Sequence, residues 1–508
     1  MYHFAANKQC DLVVLGGGGG GMVAAARAAS ISGKKVIVLE KTSHTGGGAV
    51  FASMIRTFGS KWQKKRNLPD VMNQFIINAM DSTYWKLEPR LVSNTFRATG
   101  EFFDWFCDIA GDVEDEFEVG YYIFDGPDGP KVPLLKGTIS HWGAGQLIMK
   151  TMLEQCKKLG VEVLTKHRVV DIEVKKGRIA AIIAETEKGY LRVACSACVL
   201  ATGSWINNKE VMKKVSPAYL KAKIDPICKA HISPAYTGDG IPLAKKAGAF
   251  LDYDSFCLRL MGPMTLSRSE VMNNMGNSPY SIFVNRVGKR WCCEPPQVRM
   301  GLFNSGHVLL EQPGSVSYAV FDENSLAAAI KESRKPHDGY GGFFGYPRFP
   351  ESMQEVYADM DKAINTGKGS AFKANTMEGL AKKMCVSPKA LKATVSGYNS
   401  SCQAGVDLDY FKPANNLVPI NRPPYFAIKG TLGTDGAFGG VLVNPDMQAY
   451  KDGGGLVKGL YVVGDFASGR FINRGGVKDQ VINDCSWAFA SGFIAAANAC
   501  KYLDEIAK

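Results

Sequence analysis

The sequence predicts an α/β protein whose first domain is assembled from both ends of the chain. Two observations carry that expectation. Near the start, a short apolar run leads into Gly16-x-Gly18-x-x-Gly21 and an alanine-rich stretch, and a second apolar run ends at Glu40. More than 400 residues later, Gly459-Leu-Tyr-Val-Val-Gly464-Asp465 has the pattern of another buried strand closed by a glycine and an acid. Strand, turn, helix and strand in that order read as a parallel βαβ unit.

Asp11-Leu-Val-Val-Leu15 is the first strand, Gly16 to Gly21 the turn, Met22 to Ile31 the helix, and Lys35-Val-Ile-Val-Leu39 the second strand. So tight a turn calls for glycine, because backbone must approach phosphates closely and the helix must pack against the strand. A pyrophosphate then rests on the free N–H groups that open the helix. The Glu40 carboxylate binds ribose hydroxyls and repels a 2′-phosphate, which favours FAD or NAD over NADP.

Residues 70 to 112 are helical in pattern, with the aromatic run Glu101-Phe-Phe-Asp-Trp-Phe106, and residues 113 to 140 read as loop. His141-Trp-Gly-Ala-Gly145-Gln146 opens an amphipathic helix to Lys158. Strands follow around Val161 to Leu164, Val169 to Val174 and Ile179 to Glu185, and a last apolar strand ends in Leu200-Ala201-Thr202-Gly203. No internal repeat or low-complexity linker interrupts the chain.

Length and composition bound the function classes. The 508 residues, 46% hydrophobic and 21% charged, suffice for two or three packed domains. No run of 18 or more apolar residues occurs and MYHFAANKQC has neither a basic flank nor a long apolar run, so no secretory leader and no membrane insertion are expected, and the cytoplasm is the expected location. Thirteen irregularly spaced cysteines read as free thiols, and Cys195-x-x-Cys198 reads as core because no second pair follows at metal-site spacing. The formal charge of +12 is scattered, as in Lys61-Trp-Gln-Lys-Lys-Arg66, and matches no nucleic-acid motif. A basic surface of this kind suits an acidic electron-donor protein or an anionic substrate.

The ordered set Gly16 to Gly21, Glu40, Gly46-Gly47-Gly48, Gly143-x-Gly145, Ala201-Thr-Gly203, Gly238-Asp239-Gly240, Val284-Asn-x-x-Gly-Lys-Arg290 and Gly459 to Asp465 resembles the FAD-dependent fumarate reductase and succinate dehydrogenase flavoprotein family. The soluble members of that family also include ketosteroid dehydrogenases and urocanate reductase. The resemblance runs from about residue 10 to 500. It implies a Rossmann-like FAD domain in two parts, residues 1–255 and 431–508, with an inserted α+β capping domain at 256–430. Within the insert, Met377 to Asn399 reads as two helices joined at Val386-Ser-Pro388, and Pro423-Pro424-Tyr425 as the returning hinge.

The resemblance also implies the cofactor contacts. Gly16, Gly18, Gly19, Gly20 and Gly21 line the pyrophosphate, Glu40 and Lys41 the ribose side, and Gly46, Gly47, Gly48 and Ala49 the isoalloxazine ring. Val169, Ala201, Thr202 and Gly203 flank the adenosine side, and Asp239 is a further cofactor-binding residue. Asp465 serves the ribityl or phosphate region, and Val481 and Ile482 open a helix facing the pyrimidine edge of the flavin. Ser43-His44-Thr45 imitates the covalent attachment motif of respiratory members, but the ungapped spacing from Glu40 aligns Gly46-Gly47 with noncovalent members, so noncovalent FAD is expected.

Chemistry in such a family is hydride transfer between flavin N5 and one carbon of an activated C=C bond, with a proton supplied to its neighbour. Arg299 stands nearest to the family's proton-donating arginine, and Arg474, in Asn473-Arg474-Gly475-Gly476, to an arginine that grips a carboxylate or ketone oxygen. Asp435, in Thr434-Asp435-Gly436, is placed to bond a hydroxyl or relay a proton, or serves only as a turn residue. Tyr280 and Tyr425 are further acids of the ketosteroid type. The carboxylate clamp of fumarate reductases falls near Asn273, Asn274 and Asn277, and Leu258, Leu260, Met261 and Phe438 stand in place of charged groups, which suits a larger, less polar substrate. Unpaired charge in a dry site is expensive, which argues against fumarate itself.

The expectation is therefore a reductase of an activated C=C bond in a medium-sized enone, enoate, steroid or polyphenol. The reverse direction, a ketosteroid-type dehydrogenase that desaturates a ketone, and a noncatalytic FAD-binding electron-transfer subunit remain open. No haem motif, iron–sulfur spacing or second dinucleotide fingerprint occurs, so electrons are expected from a partner protein, reduced flavin or NADH visiting the substrate pocket.

Overall fold

The computed structural model describes residues 2–508 except 53–54, 112, 122–130, 136–142, 222–232, 266, 301, 336–339, 342–348, 367–368, 468 and 470–483. The chain divides into two compact units. The first comprises Met1–Val215, His231–Leu258 and Gly436–Lys508, and the second Ser216–Ala230 and Arg259–Asp435.

In the first unit, both chain ends feed one mixed sheet whose central strands are parallel. Strand Leu12–Leu15 lies between Val36–Leu39 and Ala197–Leu200, and Ala197–Leu200 pairs in turn with Leu456–Val462, the strand from the far end of the sequence. The four residues of Leu12–Leu15 and of Val36–Leu39 are all buried, as central parallel strands covered on both faces require. Helix Gly19–Ser32 packs along the carboxy-terminal helix Asp484–Ala507. Its early turns are rich in glycine and alanine, so the second helix approaches closely: a Cβ on Gly492 would stand 2.2 Å from the Gly20 carbonyl oxygen.

Four differences from the sequence expectation have physical causes. Helix Gly19–Ser32 begins three residues earlier than Met22, because its first residues are the glycines of the turn itself. The helical region 70–112 is two helices, Met72–Ser82 and Pro89–Ala110, broken where Tyr84 and Trp85 adopt φ of 52° and 56° and Glu88 caps the second helix with its side chain. The stretch 113–140 is not all loop, since Phe117–Tyr121 and Lys131–Leu135 form an antiparallel pair whose alternation is short and diluted by charge. Strands Phe4–Gln9 and Gly189–Ala194 pair in parallel, and the first is too polar and exposed to register as a strand in sequence.

The second unit is built on an antiparallel sheet in which Tyr425–Phe438 pairs with Val316–Phe321 and Ala371–Ala374, and Ile282–Asn285 pairs with Val316–Phe321. Its strands alternate between two cores. Phe283, Ala319, Phe321, Phe426 and Ile428 belong to one, Ile282, Val284, Tyr318, Val320 and Ala427 to the other. Helices therefore cover both faces, with Met353–Asn365 on the first and the pair Met377–Lys383 and Pro388–Ala404 on the second. The helix pair matches the expectation for 377–399.

Beside that sheet lies a buried charge quartet. Arg290 donates to both oxygens of Glu294 at 2.8 and 2.7 Å and to Asp407 at 2.8 Å. Lys412 Nζ lies 3.5 Å from Glu294 and donates to the Ser281 carbonyl at 3.0 Å. The four side chains are between 0 and 5% exposed, so two cations meet two carboxylates out of water. Burial pushes the Asp407 carboxyl up, but the Arg290 hydrogen bond and charge outweigh it and leave it below the ordinary range. For Lys412, burial outweighs Glu294 and holds the ammonium below its usual range.

Candidate cofactor and catalytic site

The Gly16–Gly21 turn is dictated by close approach at its two ends. Gly16 has φ of 110°, and a Cβ there would stand 2.3 Å from the Ala201 carbonyl oxygen; one on Gly21 would stand 2.0 Å from the Gly16 oxygen. Gly18 differs, because a Cβ there would meet nothing within 4 Å among the described residues. Protein packing does not demand glycine at 18, whereas a ligand lying against the backbone does. Gly18 also caps helix Gly19–Ser32 with no side-chain hydrogen bond and no acid in the first turn, so the leading N–H groups are open to an anion.

Glu40 is fixed by backbone. One carboxylate oxygen accepts from Gly17 N at 2.7 Å and the other from Thr42 N at 2.7 Å. An ionised carboxylate has about four acceptor positions, so those remaining are free to take ribose hydroxyls. Lys41 turns the other way, donating to Thr237 at 2.8 Å and Asp239 at 3.1 Å, while Arg168 also donates twice to Asp239 at 3.2 Å. Burial raises the Asp239 carboxyl, but Arg168 and Lys41 prevail and hold it low.

The remaining glycine motifs join the same cradle. Gly46 N donates to the Gly17 oxygen at 2.8 Å, and Gly18 and Gly46 form a parallel bridge. Gly145 lets helix Gly143–Lys158 sit on the Gly47–Phe51 turn, because a Cβ there would lie 2.0 Å from the Ala49 oxygen. Gly240 does the same at Thr202, whose hydroxyl would lie 2.2 Å from a Cβ. The Thr202 hydroxyl is itself buried without a hydrogen-bond partner among the described residues, an orphan polar atom at the edge of the cradle. Val169 sits in strand Arg168–Lys175, and Asp465 in the turn Gly464–Ala467 after the returning strand. His44 is exposed beside Ser43. These features fit FAD on chain geometry alone.

A family model for the FAD binding domain matches residues 11–476. The chain belongs to the FAD binding domain family. As a flavoprotein it is 26% identical over 491 residues to the vinyl phenol reductase of Lactiplantibacillus plantarum, covering 92% of each chain. It is 26% identical over 474 residues to the fumarate reductase (cytochrome) of Shewanella frigidimarina, covering 92% of this chain and 72% of that one. Among solved structures, the fold is similar to the 3-ketosteroid-Δ4-(5α)-dehydrogenase of Rhodococcus jostii RHA1, with TM-score 0.69, 22% identity, and coverage of 97% of this chain and 98% of that one.

The other expected residues of this flavoprotein are only partly placed. Arg299 lies on the short helix Pro296–Met300 and Asp435 on strand Tyr425–Phe438, both in the second unit. Arg474, Val481 and Ile482 lie outside the described residues. Tyr280 packs into a core cluster with its hydroxyl 3.4 Å from Glu332, and burial pushes its phenol up, as it also does for Tyr425. Asn273 and Asn277 are engaged locally, Asn273 with Ser267 and Asn277 with the Asn273 oxygen and Gln297. Leu258, Leu260, Met261 and Phe438 are all buried. Cys195 and Cys198 are buried, and burial pushes both thiols up. No described helix is long and apolar enough to cross a membrane. Sequence reasoning missed Arg168, whose pairing with Asp239 across 71 residues leaves no local signal, and Thr237, which bonds Asp239 from two residues away in the same turn.

Proposed function

We propose that the protein is an FAD-dependent reductase of an activated carbon–carbon double bond in a medium-sized organic molecule, of the aryl alkene, enone, enoate or steroid type. The reading is carried by the similarity along 92% of both chains to a vinyl phenol reductase, joined to a cradle that fits FAD. Neutral Asn273 and Asn277 at the positions of a carboxylate clamp support a substrate less charged than a dicarboxylate.

FAD, bound without a covalent link, supplies the hydride chemistry. The chain's own task is to orient the substrate, polarise its electron-withdrawing group and deliver a proton. In this reading Arg299 holds the proton for the carbon next to the one reduced, and Arg474 places a cation on a carboxylate or ketone oxygen. Asp435 bonds a substrate hydroxyl or relays the proton. Residues 256–430 act as a cap that excludes water from the substrate. Electrons arrive from a partner protein, or from reduced flavin or NADH, and the basic surface suits an acidic donor.

The test is an anaerobic product assay with an artificial reductant against vinylphenols, aryl acrylates, enones and fumarate, paired with a dye-coupled assay of saturated ketones. Formation of the saturated aryl or carbonyl product supports the proposal. Dye reduction by saturated ketones with no alkene reduction would replace it with the desaturase reading, and flavin binding with neither activity would replace it with an electron-transfer subunit.

A further inference from the structure

The segment Ser233–Gly240 of the first unit braces the cofactor turn at two places. At one end Asp239 is held by Lys41 and Arg168, and Lys41 directly follows Glu40. The Thr237 hydroxyl accepts from Lys41 at 2.8 Å and donates to Asp239 at 2.9 Å. Before it, Asn207 N donates to the Tyr236 oxygen at 2.9 Å and Tyr236 N donates to the Ser233 oxygen at 3.0 Å, so the tyrosine backbone is fixed as well.

The Tyr236 hydroxyl reaches the glycine loop. A Cβ built on Gly48 would stand 2.7 Å from the tyrosine oxygen and 3.9 Å from the ring carbon that bears it, and it would meet nothing else within 4 Å among the described residues. Gly48 is not among the residues at positive φ, so its backbone accepts any side chain. One oxygen atom is therefore what excludes a methyl group there. The loop it presses is tied to the cofactor turn, through Gly46 N to the Gly17 oxygen at 2.8 Å and through Gly47, whose Cβ would lie 3.2 Å from Gly18 Cα.

We propose that Tyr236 is a cofactor-positioning residue: its hydroxyl seats the Gly46–Ala49 loop against the Gly16–Gly21 turn, and glycine stands at 48 to complement that hydroxyl. Tyrosine suits the task because a ring on two rotatable bonds, carried by a braced segment, holds its far atom in place at small entropic cost. The competing account is that Gly48 is needed for direct approach of FAD.

A four-protein cycle separates the two. Wild type, Gly48→Ala, Tyr236→Phe and Gly48→Ala/Tyr236→Phe are compared for FAD dissociation constant by fluorescence titration of the apoprotein, for flavin midpoint potential, and for apoprotein unfolding midpoint. Gly48→Ala is expected to raise the dissociation constant about tenfold or more, because a methyl 2.7 Å from the tyrosine oxygen forces the hydroxyl or the loop to move. The double variant is expected to bind within about threefold of Tyr236→Phe alone and to recover its potential, because a ring carbon at 3.9 Å is an ordinary contact. A double variant weaker than Tyr236→Phe by as large a factor as Gly48→Ala is weaker than wild type overturns the proposal, as does Gly48→Ala or Tyr236→Phe binding like wild type. If Gly48→Ala does not fold, Tyr236→Ala decides: weaker FAD binding with an unchanged apoprotein midpoint supports the proposal, and unchanged binding overturns it. A wild type that binds no FAD would instead remove the cofactor assignment itself.

Discussion

Glu294→Gln tests the buried quartet that anchors the segment leading to Arg299. In the native chain Arg290 and Lys412 face Glu294 and Asp407, so the charges cancel among side chains at most 5% exposed. The substitution keeps the shape but leaves one net positive charge out of water, and removing one partner of a buried pair costs about 3–5 kcal/mol. For a unit of this size each kcal/mol lowers the melting temperature by about 2–4 °C, so a fall of roughly 6–20 °C is expected in scanning calorimetry. Glu294→Gln/Lys412→Met restores neutrality and is expected to recover at least about half of that fall. A single variant that melts within about 2 °C of wild type, or a double variant that melts lower still, would refute the charge argument.

Glu40→Gln keeps one acceptor oxygen but turns an NH2 toward either Gly17 N or Thr42 N, so one backbone donor loses its partner. With charged hydrogen bonds worth about 1.5–3 kcal/mol, the FAD dissociation constant is expected to rise about 10- to 100-fold in a fluorescence titration, and a change under about threefold would count against the ribose role. Arg299→Ala is expected to lower kcat by about 100-fold or more while leaving the flavin absorption spectrum unchanged, and full activity would remove Arg299 from the proton-donor role. Acid should loosen the Asp239 brace late. Its folded pKa lies below the ordinary carboxylate value, so the stability it contributes is fully present above about pH 4 and is lost as pH falls through the folded pKa. FAD retention is thus expected to be flat from about pH 8 to 5 and to drop only below about pH 4, with Asp239→Asn flattening the acid limb.

The legible part of the fold was the local part. Gly16 to Gly21, two all-apolar strands and Glu40 sit within about thirty residues, and each obeys a rule about its immediate neighbours. The returning strand was readable because burial on both faces forces a continuous apolar run, and Leu456–Val462 does enter the sheet beside Ala197–Leu200. Phe4–Gln9 was not readable, since an exposed edge strand has no apolar alternation to show. The same limit hid the long-range braces within each unit. Arg290 is visible in its motif, but its partner Asp407 lies 117 residues away, and Tyr236 gains meaning only where its ring reaches Gly48. Long-range complementarity of single atoms leaves no periodicity behind.

The central claim is that a flavin held in this cradle exchanges hydride with an activated alkene. The most direct measurement is anaerobic stopped-flow mixing of the photoreduced, FAD-reconstituted protein with a vinylphenol, an aryl acrylate and an enone, following flavin absorbance. Return of the oxidised flavin spectrum at a rate that rises with alkene concentration, with an equivalent of saturated product, is the result expected. Flavin that stays reduced in the presence of every alkene would contradict the claim.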